Sequence, residues 1–306
     1  MRFLVTGGAG FLGTALANRL VDDKHQVRVI DDLSAGDPSR LDERVLFTRG
    51  DVADRPKLWT LLQDVDCVYH LAARVQVSES ILYPREYNEV NVGGTVSVME
   101  AMRDAGVRRV VFASSGAVYG EQAHQPVRED QTPNPQSPYA VSKLAAEYYV
   151  RTIGALWGIE TVVLRVFNAY GPGQSLPPSH SPVIPRFLKQ ARGGGSLIIF
   201  GGGGQTRDFV YLDDVVESLV AAATASDVDR RIVNVGSGQE TSINELAGWV
   251  AKVTERELEV LHSPAESGGV SRLCADIAVA RRLLDYEPCV DLAQGLFRTI
   301  ERDGRF

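Results

Sequence analysis

The sequence has few cysteines, and they are not arranged as ligands or as disulfide partners. Its 306 residues include three cysteines, Cys67, Cys274 and Cys289, which are far apart and odd in number. No Cys-x-x-Cys or Cys/His ligand spacing occurs, so neither a disulfide framework nor a zinc site is indicated. We therefore predict small buried or surface thiols in a reducing compartment, and a protein that holds no metal.

Long hydrophobic runs and a strong charge of one sign are also missing. No apolar run approaches the length of a membrane span, and Met1 and Arg2 lead straight into a strand-like run rather than a signal peptide. The formal net charge of −7 is spread along the chain, which argues against a polyanion-binding surface. These absences predict a cytoplasmic protein that binds neither nucleic acid nor a membrane.

The first half of the chain alternates short β-branched runs with longer helical patterns. Strand-like runs cover residues 3–6, 26–30, 45–48, 67–71, 110–113 and 161–165, and helical patterns lie near 11–22, 54–63, 82–105 and 138–157. Apolar strands that alternate with helices indicate a parallel sheet covered on both faces. Right-handed connections then predict an α/β fold with a doubly wound parallel sheet, as in a Rossmann domain.

The pattern changes after Tyr170. Prolines between residues 172 and 185 and glycine runs at 193–195 and 201–204 predict loops and short elements. We expect strand-like residues 207–212 and 232–235 to return to the main sheet, and helices near 242–253, 276–285 and 291–302. The predicted domains are a Rossmann domain over residues 1–170, with 207–236 returning to it, and a smaller C-terminal α/β substrate lobe over residues 171–306.

A glycine-rich turn follows the first strand. Gly7, Gly10 and Gly13 stand where the chain must turn sharply and let a pyrophosphate approach the backbone at a helix N-terminus. A lone glycine pattern is weak, but this one has the required strand before it and helix after it. The turn therefore predicts a dinucleotide site, to which we also assign Phe11 and Leu12.

Acids follow the next two strands. Asp31 is placed to accept hydrogen bonds from both ribose hydroxyls of the adenosine half and to repel a 2′-phosphate, which favours NAD over NADP. The alternative is that Asp31 or Asp32 only caps the next loop, and the glycine turn one strand earlier favours the ribose role. Asp51 and Val52 are candidates for binding adenine. For Asp51, an N-cap of the helix that starts near Asp54 is nearly as good an explanation.

The candidate catalytic residues end one strand and begin one helix. Ser114 and Ser115 close the fifth strand, and Ser137 suits the N-cap of a helix whose first turn holds a proline. Tyr139 and Lys143 then lie one turn apart on one helix face. An ammonium near a phenol stabilises the phenolate and lowers its pKa toward working pH, as a general base requires. Among ten tyrosines a Tyr-x-x-x-Lys is not specific alone. The motif follows the glycine turn and the acidic strand end along the chain. This order predicts a catalytic site at the carboxyl edge of the sheet.

Several motifs spread along the chain are specific when they occur together. They cover residues 6–13, 70–73, 91 with 93–95, 114–120, 138–143, 164–172 and 207–215. In these motifs the chain resembles the NAD-dependent sugar epimerase/dehydratase branch of the extended short-chain dehydrogenases, closest to UDP-glucose 4-epimerase-like enzymes. The resemblance implies tightly held NAD, a C-terminal lobe that binds a nucleotide-sugar, and a homodimer built on two helices per subunit.

The same resemblance implies roles for single residues. Ser115, Tyr139 and Lys143 would be catalytic, and Asn91 would hold a structural position near the cofactor. The implied cofactor-binding residues also include Leu71, Ala72, Ala73, Tyr139 and Lys143, and the implied substrate-binding residues are Ser78, Ser115, Tyr139, Asn168, Arg207 and Arg272. Relatives often carry an arginine before a Gly-Asp pair in the C-terminal lobe. Here residues 266–269 read Glu-Ser-Gly-Gly, and Arg272 is the candidate replacement.

Members of this family oxidise a sugar carbon transiently to a ketone, and their outcomes then diverge. Tyr139 would take the hydroxyl proton, and Ser115 would hydrogen-bond the developing carbonyl oxygen. The 4,6-dehydratases need an acid and a base where this chain has Gly116 and Ala117, so dehydration is disfavoured. A 4-epimerase needs only the return of hydride to the other face of a rotated 4-keto sugar. The sequence thus favours epimerisation at C4 of a UDP-sugar of the UDP-glucose/UDP-galactose type.

Other outcomes stay open. A nucleotide-sugar reductase, a decarboxylase or a uronate epimerase would fit the same motifs. Relatives that act on UDP-glucuronate often place an arginine just after the Tyr-Gly-Pro turn, and residues 173–175 offer none there, although a more distant arginine could reach in. A catalytically silent NAD-binding protein is a third hypothesis, against which the intact set of Ser115, Tyr139 and Lys143 argues.

Overall fold

The computed structural model describes residues 1–177, 181–264 and 269–306. Within these ranges the strands are β1 (Arg2–Thr6), β2 (Gln26–Asp31), β3 (Leu46–Arg49), β4 (Cys67–His70), β5 (Arg109–Ser115), β6 (Glu160–Val166), β7 (Asn168–Tyr170), β8 (Leu197–Phe200), β9 (Thr206–Arg207), β10 (Phe209–Tyr211), β11 (Arg231–Val235), β12 (Thr241–Ser242) and β13 (Val260–Ser263). The α-helices are α1 (Phe11–Asp22), α2 (Arg55–Leu61), α3 (Val77–Leu82), α4 (Pro84–Asn88), α5 (Gly94–Ala105), α6 (Pro138–Trp157), α7 (Val183–Arg192), α8 (Leu212–Thr224), α9 (Ile243–Thr254), α10 (Ala278–Leu284) and α11 (Leu292–Arg302).

Seven of these strands form one sheet in the order β11–β6–β5–β4–β1–β2–β3. Every pair of neighbours in it is parallel. The chain winds outward from β1 to β3 and then crosses back to β4, so the strand order reverses beside β1. Doubly wound sheets bind ligands at such a reversal, outside the carboxyl ends of the strands. The predicted Rossmann-type sheet is therefore confirmed.

Helices cover both faces of the sheet, and each face has its own apolar core. Adjacent residues of β1 point to opposite sides, so Leu4 belongs to one core and Val5 to the other. Helices α1 and α8 pack together on one face, where Leu16 and Leu219 are fully buried. Helices α2, α5 and α6 cover the other face. Each buried leucine contributes about 1.5–3 kcal/mol through the hydrophobic effect. None of the described helices is long and apolar enough to cross a membrane.

The second half of the chain holds more regular structure than its prolines and glycines predict. Helix α7 lies within the stretch expected to be loops, and α8 starts with Asp213 and Asp214 in its first turn, where acids interact favourably with the helix dipole. Helices α7, α9 and α11 bury a third apolar core around β8. The division into domains 1–170 and 171–306 stays a prediction.

The two strand-like segments expected to return to the main sheet behave differently. As predicted, β11 pairs with β6 and forms the edge of the sheet. The prediction for residues 207–212 is wrong, because β10 pairs with β7 and β9 pairs with β12 in separate two-stranded sheets. The neighbouring position beside β6 is already taken by β11, so β10 pairs with the short strand that follows β6.

The single helix expected over residues 82–105 is interrupted. Helix α3 already begins at Val77, and Tyr83 leaves the helical region because Pro84 follows it. After α4 the residues Glu89–Gly93 form a π-helical turn before α5 begins. Such turns occur frequently at functional sites, and this one carries Asn91.

Candidate active site

The turn after β1 is closely packed and leads into the start of α1 at the carboxyl edge of the sheet. Gly7 has a φ of +67°, and a Cβ there would lie 2.7 Å from the backbone of Ala72. At Gly13 a Cβ would lie 2.2 Å from the Gly7 carbonyl oxygen. Helix α1 follows Gly10 without a side-chain cap, so its first amide groups are left for an anion. This close-packed cradle fits the pyrophosphate of a dinucleotide such as NAD.

Asp31 lies against the glycine turn, whereas Asp32 does not. Asp31 Oδ2 accepts a hydrogen bond from the Ala9 amide at 3.0 Å, and its Oδ1 accepts one from the Leu33 amide at 2.9 Å. Burial raises the pKa of Asp31, and these backbone hydrogen bonds oppose that rise. The exposed Asp32 caps the loop by accepting from the Ser34 amide at 2.8 Å. Both acids therefore cap the loop after β2, and Asp31 also contacts the glycine turn. The ribose role of Asp31 stays a prediction.

The structure also separates the two explanations for Asp51. Helix α2 is capped by Asp54, whose side chain accepts from the Lys57 amide, so the N-cap explanation for Asp51 is wrong. Asp51 is exposed and accepts from the Ala53 amide at 2.8 Å. Val52 is buried. A role of Asp51 and Val52 in binding adenine stays a prediction.

The chain after β4 runs alongside the glycine turn. The Leu71 amide donates to the Thr6 carbonyl oxygen, and the Ala72 amide donates to Thr6 Oγ1, both at 3.2 Å. His70 lies between two threonine hydroxyls, Thr6 Oγ1 at 2.7 Å and Thr95 Oγ1 at 2.9 Å. Burial lowers the pKa of His70 to about 3, so this histidine is a neutral, hydrogen-bonded core residue.

Ser115, Tyr139 and Lys143 come together where β5 ends and α6 begins. Ser137 Oγ caps α6 by accepting from the Ala140 amide at 3.1 Å, with proline in the first turn as predicted. The Ser115 hydroxyl lies near enough to the Tyr139 phenol to lower the pKa of that phenol. Lys143 is buried, and its Nζ lies 4.4 Å from the centre of the Phe112 ring. The geometry places a phenol, a hydroxyl and an ammonium at one edge of the sheet.

The pKa of Tyr139 moves in the opposite direction from the one expected. Burial raises the pKa of Tyr139, and the Ser115 hydroxyl opposes that rise. Burial also lowers the pKa of Lys143 to about 8, while the charge of Glu147 opposes that fall. Desolvation by burial is the largest effect on both groups, and it disfavours the charged form of each. The predicted lowering of the phenol pKa by the ammonium is therefore wrong for the protein alone, although Lys143 remains mostly charged at pH 7.

Asn91 connects the chain after β4 to the first turn of α6. Its Nδ2 donates to the Arg74 carbonyl oxygen at 3.0 Å and to Ser142 Oγ at 2.9 Å, and its Oδ1 accepts from the Arg74 amide at 2.8 Å. Ser142 Oγ in turn donates to the Tyr139 carbonyl oxygen at 2.8 Å. The π-helical turn thus holds the backbone of Tyr139.

Tyr87, which no sequence motif singles out, lies beside Tyr139. The two rings meet edge to face with centroids 6.4 Å apart. The Tyr87 hydroxyl donates to Glu79 Oε2 and to the Gln76 carbonyl oxygen, each at 2.7 Å. No local spacing predicts this contact, because the two tyrosines come from different helices.

The predicted substrate residues occupy several elements. Ser78 lies in the first turn of α3. The Asn168 amide donates to the carbonyl oxygen of Asp208 at 3.0 Å, which brings Asn168 close to Arg207. Burial lowers the pKa of Arg207, and the charge of Glu121 opposes that fall.

Arg272 is held by an acid in this structure. Its Nε and Nη2 donate to the two carboxylate oxygens of Glu240 at 2.8 and 2.7 Å. This pairing lowers the pKa of Glu240. Relatives often carry an arginine before a Gly-Asp pair in this stretch. Here the stretch includes Glu266, Ser267 and Gly268, which lie outside the described residues. A diphosphate role for Arg272 stays a prediction.

Comparison with known proteins adds four findings. Residues 3–236 match the model of the NAD dependent epimerase/dehydratase family. The chain is 38% identical over 308 residues to the UDP-glucose 4-epimerase of Mycolicibacterium smegmatis, covering 98% of each chain. The crystal structure of UDP-glucose 4-epimerase with UDP-glucose from Thermotoga maritima superposes with a TM-score of 0.94 at 33% identity, covering 99% of this chain and 98% of that one. A UDP-N-acetyl-alpha-D-glucosaminuronate decarboxylase of Bacillus cytotoxicus is 32% identical, covering 98% of this chain and 97% of that protein.

Proposed function

The chain belongs to the NAD-dependent epimerase/dehydratase family, and from this we propose that it epimerises C4 of a UDP-linked sugar, with UDP-glucose and UDP-galactose as the leading pair. The observation that carries the proposal is that the partly buried Ser115 lies with the buried Tyr139 and Lys143 at the same sheet edge as the glycine turn. Bound NAD would accept hydride from the sugar carbon and return it.

The residues of the chain have separate tasks in this mechanism. Tyr139 takes the proton of the C4 hydroxyl and returns it after the 4-keto sugar has rotated. Ser115 donates a hydrogen bond to the developing carbonyl oxygen. Lys143 supplies a positive charge that favours the phenolate form of Tyr139, which is the form that accepts the proton. Tyr139 and Lys143 are buried, and their burial limits exchange of the proton with water.

The surroundings of Ser115 support epimerisation over dehydration. A Cβ at Gly116 would lie 3.1 Å from the Phe167 ring, so an acidic side chain would require the ring to move. Ala117 has no proton to transfer, and its amide donates to Ser115 Oγ at 3.2 Å. The acid and base that a 4,6-dehydratase needs are therefore missing, and the space for one of them is filled.

The test is to offer UDP-glucose to the purified protein without added cofactor and to separate the products. The proposal expects UDP-galactose without net formation of NADH. A requirement for stoichiometric cofactor would indicate a reductase or a decarboxylase instead. If bound NAD is present but no UDP-sugar in a panel is converted, the protein is catalytically silent and the proposal is wrong.

A UDP-uronate is the second candidate substrate, because two arginines lie against the turn after Pro172. Arg40 Nη1 donates to the Gly173 carbonyl oxygen at 2.9 Å, and Arg305 Nη2 donates to that of Gln174 at 2.8 Å. A guanidinium there would be suited to a sugar carboxylate. A higher kcat/KM for UDP-glucuronate than for UDP-glucose, lost in Arg40→Met or Arg305→Met, would favour this candidate.

The position of Asp31 predicts the choice of cofactor. In Asp31→Asn we expect the ratio of the NADP and NAD dissociation constants to fall at least about tenfold, or about 1.4 kcal/mol, because the repulsion of a 2′-phosphate is lost. Calorimetric titration of nucleotide-free protein measures this ratio. Asp32→Asn is the matched control, since Asp32 caps the loop, and its ratio should not move. Equal effects in both variants would refute the assignment.

We further propose that the protein is a homodimer formed through α3 and α6. These helices pack side by side, and both carry exposed apolar residues. On α3 and α6 these are Val77, Ile81, Leu82, Val141, Tyr148, Tyr149 and Leu156. A contiguous apolar surface of this kind is typical of a protein interface, and a second copy of the chain presents the same surface.

A charge on this surface should separate the subunits. Tyr148 is 58% exposed in the single chain, and Tyr148→Asp places a carboxylate in the middle of the α6 face. We expect a monomer by analytical ultracentrifugation where the unchanged protein is a dimer. Phe297→Asp, at an equally exposed position on α11, should leave the dimer intact. A dimer that persists in Tyr148→Asp would show that the interface lies elsewhere.

The cytoplasmic location also remains a prediction.

A further inference from the structure

A buried ion pair lies one helical turn beyond Lys143. Arg165 donates to Glu147 twice, from Nε to Oε1 at 3.0 Å and from Nη2 to Oε2 at 2.7 Å. The side chains of Glu147 and Arg165 are only 3% and 2% exposed. Ser114, the residue before Ser115, also donates its hydroxyl to Glu147 Oε1. One carboxylate therefore holds three donated hydrogen bonds beneath the candidate active site.

The strand register explains how these groups meet. Ser114 of β5 and Arg165 of β6 are paired neighbours in the sheet, and α6 packs on both strands. Lys143 and Glu147 are four residues apart, so they lie on the same face of α6. Glu147 consequently connects the helix that carries Tyr139 and Lys143 to the strand that ends in Ser115.

The charge of Glu147 acts on Lys143 in a pocket that offers little other compensation. Phe112 of β5 presents an aromatic ring to Nζ, and His70 of β4 is neutral because its pKa lies at about 3. Tyr139 is a further titratable group there, and burial raises its pKa. Tyr87, which contacts the Tyr139 ring, also has a pKa raised by burial. Glu147 supplies the negative charge that opposes the loss of the Lys143 proton.

Stability alone does not account for this arrangement. Removing two charges from water costs about as much as their attraction returns, so a buried pair contributes little compared with apolar residues of the same size. A carboxylate placed one turn from a buried ammonium does have an electrostatic effect, because the interior screens charges weakly.

We propose that Glu147 is a positioning residue that keeps Lys143 in its ammonium form and fixes α6 against the end of β5. The proposal rests on the proposed function in one respect only, namely that Lys143 takes part in catalysis. It assigns to Arg165 and Ser114 the task of orienting the carboxylate. A neutral residue at position 147 would leave the buried lysine without this charge.

Direct titration of Lys143 tests the proposal without any turnover assay. The chain has five lysines, Lys24, Lys57, Lys143, Lys189 and Lys252, and only Lys143 is buried. Lysine labelled with 13C at Cε gives five NMR signals, and Lys143→Met identifies the one of interest. In Glu147→Gln, which keeps the shape of the side chain, we expect the titration midpoint of Lys143 to fall by at least about one pH unit.

Two further variants separate charge from packing. Ser114→Ala removes a hydrogen bond to Glu147 but no charge, so the midpoint should stay in place. Glu147→Gln/Arg165→Met removes both charges and avoids an unpaired buried guanidinium, so it decides the question if the single variant fails to fold. Here too the titration midpoint of Lys143 should fall. Glu147 lies on the same face of α6 as Lys143 and Arg165 lies on β6, so the loss of the Glu147 charge should have the larger effect.

An unchanged midpoint in the charge-removing variants, or an equal shift in Ser114→Ala, would overturn the proposal. The outcome is independent of the proposed function. If the midpoint falls as expected while no UDP-sugar is converted by the unchanged protein, the role of Glu147 stands and the epimerase proposal fails.

Discussion

Tyr139→Phe is expected to lower turnover of the sugar nucleotide at least about a hundredfold. The substitution keeps the buried ring and its edge-to-face contact with Tyr87 but removes the oxygen that takes and returns the proton. Binding of NAD should change little, because the glycine turn and Asp31 are untouched. The measurement is kcat for the interconversion of UDP-glucose and UDP-galactose, together with the dissociation constant of NAD. Turnover near that of the unchanged protein would show that another group acts as the base.

A matched control for this variant exists in the main sheet. The Tyr69 hydroxyl is buried and has no hydrogen-bond partner among the described residues, and Tyr69 packs in the apolar core of the opposite face from α6. Tyr69→Phe removes the same atom from the same kind of buried ring. We expect its turnover to match that of the unchanged protein, so a loss shared by both variants would indicate a general effect of removing a phenol.

Lys143→Met is expected to lower turnover about a hundredfold at neutral pH and to change its pH dependence. The unchanged protein should lose activity as the pH rises through about 8, since burial lowers the pKa of Lys143 to that value and the ammonium is then lost. The variant has no such loss. Its rate should increase with pH instead, because burial raises the pKa of Tyr139 and the phenol must ionise without a neighbouring cation.

The pH profile of kcat and the retention of NAD on a desalting column measure both effects of Lys143→Met. We expect weaker retention, since the family resemblance places Lys143 at the nicotinamide ribose. Lys252→Met removes a lysine from the exposed side of α9 and should leave both properties as they are. A profile of Lys143→Met that still falls near pH 8 would assign the alkaline limb to a different group.

The sequence predicts the bounds of a helix well where residues next to its ends cap it. Helices α1 and α6 begin and end at the predicted residues, 11–22 and 138–157. For α6 the reason lies in its caps, because Ser137 and Pro138 start the helix and Gly158, with a φ of +69°, ends it. The sequence patterns do not predict α7 and α8. Prolines and glycines around α7 favour loops and short elements, whereas packing against the third core stabilises α7 and packing against α1 stabilises α8.

The order of motifs along the chain was by itself enough to predict the family and the doubly wound sheet. It also predicted that Ser115, Tyr139 and Lys143 lie close together. Backbone turns, caps and the alternation of strands with helices depend on residues close in sequence, and a parallel sheet then gathers strand ends at one edge. Only the tertiary structure decided the charge states of that edge and the partners of Glu147 and Arg272. Desolvation and ion pairing depend on which distant residues surround a group after folding, and no spacing along the chain records that.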